Sequence, residues 1–148
     1  MSFGAVIQES FARSFSLYDD LVDVVEESIL SSRLGDLPSN TVGLQLWCVV
    51  GARENFAKAI AANQWSGFSC SLNTTTNREQ VATSLRHSAQ AVSDVLETIE
   101  SYTDPQSELI VGLLEHEAAH HGQLIRYIYG LDLPIPDSWK SKYALEER

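Results

Sequence analysis

DPQSELIVGLLEHEAAHHGQLIRYIYG, residues 104–130, holds three of the four histidines of the chain between two helix-end signals. Asp104 and Pro105 predict the start of a helix here, because Asp is a good N-cap and Pro suits the first helical position. Gly130 predicts its end, since glycine is common just past the last helical turn. Between these signals the residues carry a helical period, with Leu109 and Gly112 on one stripe. The sequence therefore predicts one long α-helix.

Three further stretches carry a helical period. In the first, apolar residues recur at steps of three and four: Ile7, Phe11, Phe15, Tyr18, Val22, Val25 and Ile29. The second, residues 41–63, is apolar around most of its first half, as expected for a helix buried on several sides. The third opens with a predicted capping box of Thr76 and Glu79. Since nothing alternates like a strand and no repeat or linker interrupts the chain, we expect a single all-α domain over residues 1–148, a four-helix bundle with a short proline-containing C-terminal tail.

Composition and charge exclude several classes of partner. The chain has 148 residues, a net charge of -10 and a pI near 4.7. Nucleic acids and anionic membrane surfaces need clustered Lys and Arg, so neither is expected as a partner. No secretory leader and no apolar run long enough to span a membrane is evident, which predicts a cytoplasmic location. The two cysteines, Cys48 and Cys70, are expected to be free thiols.

His116 and His120 stand four residues apart in the predicted fourth helix. Positions four apart differ by about 40° around a helix and by about 6 Å along it, so the two imidazoles share a face. Gln123 and Tyr127 fall on the same stripe, and the apolar residues that continue it point it into the protein. Two inward imidazoles need partners, either a divalent metal or hydrogen bonds to neighbouring polar groups. The paired spacing favours a metal, with zinc expected first and nickel or iron as alternatives.

HEAAH also matches the HExxH pattern of zinc hydrolases, in which the glutamate, here Glu117, is the general base. Two observations argue against a protease. No histidine follows His121, and the downstream carboxylates all lie beyond the predicted end of the helix. A third metal ligand is expected instead from the second helix.

Cys48 is the one soft ligand on a face of the second helix that is otherwise rich in small residues. That face carries Thr41, Leu44, Gln45, Cys48, Ala52, Asn55 and Ala59. A thiolate would complete a Cys-His-His set and leave a fourth position open, as catalytic zinc sites do. A lone cysteine is also often a small buried apolar residue. The sequence leaves both interpretations open.

HEAAHHGQLIRYIYGLDLPIP, residues 116–136, resembles the C-terminal signature of the DinB/YfiT-like metalloenzyme family. In that signature a His-x-x-x-His helix is followed by Gly-Gln, an aromatic-rich turn, a glycine and Val/Ile-Pro. LQLWCVVGARENFAKAIAANQWSGF, residues 44–68, resembles the family's second helix, and the four-helix plan covers nearly the whole chain. The resemblance implies metal ligands at His116 and His120. The family's third ligand is a histidine on helix two, where this chain has Cys48, so either Cys48 is a thiolate ligand or the site is degenerate.

Other polar residues of the fourth helix are candidates for orienting the ligand histidines. Glu117, Gln123 and Tyr127 lie on or beside the ligand stripe, where a hydrogen bond to an imidazole would fix its position. No residue is assigned a catalytic role. His121 is expected to point outward or to lie behind the ligands, and His87 to lie on the surface.

The resemblance also implies a function. Family members whose chemistry is understood resemble thiol transferases or isomerases that use a low-molecular-weight thiol, such as bacillithiol or mycothiol. We therefore expect a metal-dependent transferase with a small-molecule substrate, assembled as a homodimer. A non-catalytic, stress-associated dimer with a degenerate metal site and a metal-dependent hydrolase are the alternatives. Three aromatic residues outside the stripes, Trp65, Phe68 and Trp139, are candidates for a pocket lip, a subunit contact or core packing.

Overall fold

The structure is a computed structural model that describes residues 1–147. Its α-helices are α1 (Phe3–Val24), α2 (Val42–Ala62), α3 (Arg78–Glu97), α4 (Asp104–Gly130) and α5 (Asp137–Tyr143), with a 3-10 helix at Glu27–Ser31 between α1 and α2. No strand occurs within residues 1–147. The predicted all-α class is confirmed.

Two apolar clusters form the core, and α1, α2, α3 and α4 contribute to both. One cluster includes Tyr18, Leu46, Leu85, Leu124 and Trp139. The other includes Phe11, Ile60, Val92 and Leu113. Helix α2 packs against both α3 and α4, which explains why so much of its circumference is apolar. None of the helices within residues 1–147 combines the length and the apolar character that crossing a bilayer requires.

Helix α1 ends earlier than its apolar stripe predicts. It stops at Val24, and Val25 and Glu26 are extended before the 3-10 helix begins. Two consecutive β-branched residues weaken the helix at this point. The Arg78 side chain then donates to the carbonyl oxygens of Val22 (2.9 Å) and Asp23 (2.7 Å), which satisfies the end of the helix.

Three of the predicted helix caps are each displaced by one or two residues. Helix α3 is capped by Asn77, whose side chain accepts from the amide of Gln80, rather than by a Thr76 box. The capping box of α4 belongs to Thr103 and Gln106, one residue before the predicted Asp104. At the other end of α4 the left-handed residue is Asp132, not Gly130. Helix ends depend on side-chain hydrogen bonds that several neighbouring residues can make, so sequence places them only approximately.

One glycine of α2 is required by close packing. A Cβ at Gly43 would lie 2.2 Å from the carbonyl oxygen of Thr75 and 2.9 Å from that of Leu30. Both neighbours are backbone atoms and have little freedom to move. The glycine therefore lets the start of α2 lie directly against the loop that precedes α3.

The C-terminal tail ends in a short helix that packs into the core. After the prolines it forms α5, and Trp139 on this helix is fully buried, with its indole N–H donating to the carbonyl of Leu17 at 2.7 Å. Core packing is thus the correct interpretation for Trp139. Trp65 and Phe68 remain about half exposed, each against one aromatic ring of α2.

Candidate metal centre

The facing sides of α2 and α4 bring together the three residues predicted as metal ligands. Cys48, His116 and His120 each offer one ligand atom, and these atoms all lie within 4.8 Å of one another. The Cys48 Sγ is 3.6 Å from the His116 Nε2, and the two imidazole centroids are 4.5 Å apart. His120 is buried, and the other two are partly buried.

These distances fit a tetrahedral cation. With the usual zinc bond lengths, the S···N and N···N edges of a tetrahedron are about 3.6 and about 3.4 Å. The Cys48–His116 separation of 3.6 Å already equals the first value. The other two separations, one S···N and one N···N, are at most 4.8 Å, so each needs to shorten by no more than about 1.4 Å to fit the tetrahedron. One soft thiolate and two imidazoles form a donor set typical of zinc, with a fourth position left for water or a substrate.

Hydrogen bonding alone does not satisfy His116. Its Nδ1 is buried without a hydrogen-bond partner, while its Nε2 faces the cysteine. A buried polar atom without a partner costs about 1–3 kcal/mol. The interpretation of a polar seam closed by hydrogen bonds therefore holds for His120 but leaves a nitrogen of His116 unexplained.

Gln45 fixes the tautomer of His120. The Gln45 Oε1 lies 2.5 Å from the His120 Nδ1, and because a carbonyl oxygen only accepts, that nitrogen carries the proton. The Gln45 amide nitrogen donates to Asn40 Oδ1 at 2.7 Å, and the Tyr127 hydroxyl, with one proton to donate, lies 2.6 Å from the Asn40 carbonyl oxygen and 2.9 Å from its Oδ1. This chain of contacts leaves the His120 Nε2 as a free lone pair, which is the form that a metal ligand needs.

Burial sets the protonation of all three candidate ligands. It lowers the pKa of His116, and it lowers the pKa of His120 to about 4, with the neighbouring His116 adding to the effect. Both rings are therefore neutral near pH 7. Burial also raises the pKa of the Cys48 thiol. Cation binding at this site must release the thiol proton, so it is favoured by higher pH.

Glu117 and His121 lie on a different face of α4 and form a second polar cluster. The Glu117 carboxylate accepts from the Arg53 Nε at 2.6 Å and from its second guanidinium nitrogen at 3.2 Å, with both side chains almost fully buried. The Ser14 hydroxyl also donates to Glu117. The Arg53 guanidinium packs over the rings of Phe15 and Tyr18, one from each core cluster.

His121 is buried, which corrects the expectation that it points outward. Its Nε2 lies 3.1 Å from the Ser14 hydroxyl and its Nδ1 lies 2.6 Å from that of Tyr143. Burial, the largest cause, lowers its pKa to about 4. Helix α5 covers this side of α4 through Trp139 and Tyr143.

The residues predicted to orient the ligands have three different outcomes. Tyr127 is buried and reaches His120 only through Asn40 and Gln45. Glu117 is engaged by Arg53 and Ser14. Gln123 is exposed, as are Glu115 and His87. The direct hydrogen-bond partner of His120 is instead Gln45, which lies on the same helical face as Cys48 and for which the sequence predicts no role.

Comparisons of the chain with protein-family models, with curated proteins and with solved structures returned no match. The proposed function therefore rests on the geometry of the site and on the resemblance of residues 44–68 and 116–136 to the DinB-like family.

Proposed function

We propose that this chain is a DinB-like four-helix bundle that binds one divalent cation, zinc in the first instance, through Cys48, His116 and His120. The observation that carries the proposal is the convergence of these three side chains from two helices, with their ligand atoms within 4.8 Å of one another. The tautomer imposed on His120, which leaves its Nε2 lone pair free, supports it.

We further propose that the site serves a thiol-dependent S-transferase that acts on small electrophiles. When bound, the cation would lower the pKa of a thiol at the open position and so supply a thiolate near neutral pH. The chain's own residues hold the neutral imidazoles in place, with Gln45 fixing the ring of His120. Because a cysteine ligand donates more charge than a histidine, we expect weaker thiol activation here than at a site with three histidines. The resemblance to the DinB-like family also supports a homodimer.

A hydrolase of the HExxH type has less support. Its general base would be Glu117, but that carboxylate accepts two hydrogen bonds from Arg53 and one from Ser14. A carboxylate held in a buried ion pair is a poor base for a water molecule at the metal. We therefore place the transferase first and keep the non-catalytic dimer as the outcome if no turnover is found.

Conjugation of a thiol to 1-chloro-2,4-dinitrobenzene tests the activity, with loss of chloride as the readout. Zinc-loaded protein is compared with His116→Ala and His120→Ala, and His87→Ala serves as the matched control because His87 is exposed on α3. We expect turnover with bacillithiol, mycothiol or cysteine that both ligand variants lose and the control keeps. Equal rates in all four proteins would refute the transferase, and stoichiometric metal without turnover would identify the binding protein instead.

A further inference from the structure

A second cavity, of about 430 Å³, lies on the opposite side of α4 from the candidate metal centre. It is bounded by α1, α4 and α5, and none of Cys48, His116 and His120 lines it. A cavity of this volume is within the range that holds small molecules.

The floor of this cavity is polar but has no hydrogen-bonding need of its own. The Ser14 hydroxyl donates to Glu117, so the His121 Nε2 must donate to Ser14, and the Tyr143 hydroxyl then donates to the His121 Nδ1. Each of these groups is therefore satisfied within the protein. The negative charge of Glu117 is balanced by Arg53. The floor of the cavity therefore carries no unpaired charge and no unsatisfied hydrogen-bonding group.

The walls are apolar and the mouth carries positive charge. Leu17, Leu114 and Ala118 provide the apolar surface, and Arg13 and Lys142 stand among the lining residues. Arg13 is exposed and forms only a long ion pair with Glu9, at 3.8 Å. It also donates to the Ser10 hydroxyl at 3.1 Å, which leaves the Ser10 O–H free to donate outward.

A neighbouring cavity extends this site along α5. Its volume is about 490 Å³, and Arg13, Leu17 and Lys142 line both cavities. The two cations therefore stand where the cavities meet, in a chain whose net charge is -10. A cationic mouth above apolar walls is complementary to a molecule with one anionic end and a short apolar body.

We propose that this cavity is a second small-molecule site, separate from the metal cluster, that binds medium-chain carboxylates. The carboxylate meets Lys142, Arg13 and the Ser10 hydroxyl at the mouth. The alkyl chain lies against Leu17, Leu114 and Ala118. This proposal does not depend on the proposed transferase.

Hexanoate is the probe, and hexan-1-ol and hexylamine are its neutral and cationic counterparts. Binding to the full chain is followed by backbone NMR shifts as each compound is titrated. We expect hexanoate to bind with a dissociation constant on the order of 1 mM, with shifts at Ser14, His121 and Tyr143. Hexylamine should not bind, and hexan-1-ol should bind several-fold more weakly than hexanoate.

Lys142→Gln tests the role of the charge, and Lys58→Gln, an exposed lysine of α2, is its matched control. Loss of one rim charge should weaken hexanoate binding about three- to tenfold, and the control should leave it unchanged. Binding should also persist in EDTA and in Cys48→Ser, which separates this result from any failure of the metal site. The proposal is overturned if hexanoate does not shift the cavity residues, if hexylamine binds equally well, or if both lysine variants weaken binding alike.

Discussion

Neutralising Glu117 should destabilise the protein more than any exposed acidic substitution. Glu117→Gln keeps the shape of the side chain but leaves the Arg53 charge unpaired where Arg53 is 0% exposed. The NH₂ group of the new glutamine would also face one of the two Arg53 nitrogens that now donate to Glu117 at 2.6 and 3.2 Å, so two donors would oppose each other. Breaking a buried pair from one side costs about 3–5 kcal/mol, a large share of a typical total of about 5–15 kcal/mol. We expect the free energy of unfolding to fall by about 3 kcal/mol.

Urea unfolding followed by circular dichroism measures this change. Glu115→Gln, at an exposed position on the same helix, is the control and should change the free energy of unfolding by about 0.5 kcal/mol or less. Arg53→Met should lower the free energy of unfolding by a similar amount to Glu117→Gln, because it leaves the buried carboxylate of Glu117 without its opposite charge. The double variant should then cost at least about 2 kcal/mol less than the sum of the two single changes. If Glu117→Gln unfolds at the same urea concentration as the control, or if the two single costs simply add, the buried ion pair does not stabilise the protein as we argue.

Three further outcomes are expected. In EDTA, stability should fall as the pH drops from about 6.5 to about 4, because unfolded His120 and His121 take up protons that the folded rings, each with a pKa of about 4, do not bind. His121 alone contributes up to about 3 kcal/mol, so His121→Gln should make the plot of urea midpoint against pH less steep without flattening it, and an unchanged slope would contradict this. Gln45→Leu should weaken zinc affinity about 10–100-fold in a competitive chelator titration, because it removes the hydrogen bond that orients His120. Gln64→Leu, at an exposed position, should leave the affinity unchanged. Equal affinities in the two variants would show that Gln45 does not orient the ligand. Gly43→Ala should lower the free energy of unfolding, measured by thermal unfolding, by about 2 kcal/mol, because its Cβ would clash with backbone atoms. Gly122→Ala, with open space at its Cβ, should raise the free energy of unfolding by about 0.5–1 kcal/mol. The opposite order would show that the close packing of Gly43 is unimportant.

The helices and the ligand pair were predictable because they depend on local spacing. The four-residue step from His116 to His120 and the apolar stripes follow from helix geometry alone. Cys48 could be nominated because it is the one soft ligand on its face of the second helix, and the structure brings it beside His116. Whether these residues bind a cation remains a prediction.

The second polar cluster was not predictable, because its partners are far apart in sequence. Nothing local pairs Arg53 with Glu117, or His121 with Tyr143 in the short last helix. One signal was available: Arg53 directly follows the apolar run of residues 46–52 in a helix predicted to be buried on several sides, and a fully buried charge requires an opposite charge. Gln45, on the face of Cys48, carried a weaker signal of the same kind.

Metal content per chain decides whether Cys48, His116 and His120 bind a cation. Protein purified without a histidine tag is loaded with zinc, dialysed and assayed for bound metal, and a cobalt-loaded sample is examined for a sulfur-to-cobalt charge-transfer band. We predict one metal per chain, lost in His116→Ala and His120→Ala and kept in His87→Ala, with the cobalt band absent in Cys48→Ser. Wild-type protein that retains no metal, or His116→Ala protein that retains as much as the wild type, would contradict the assignment.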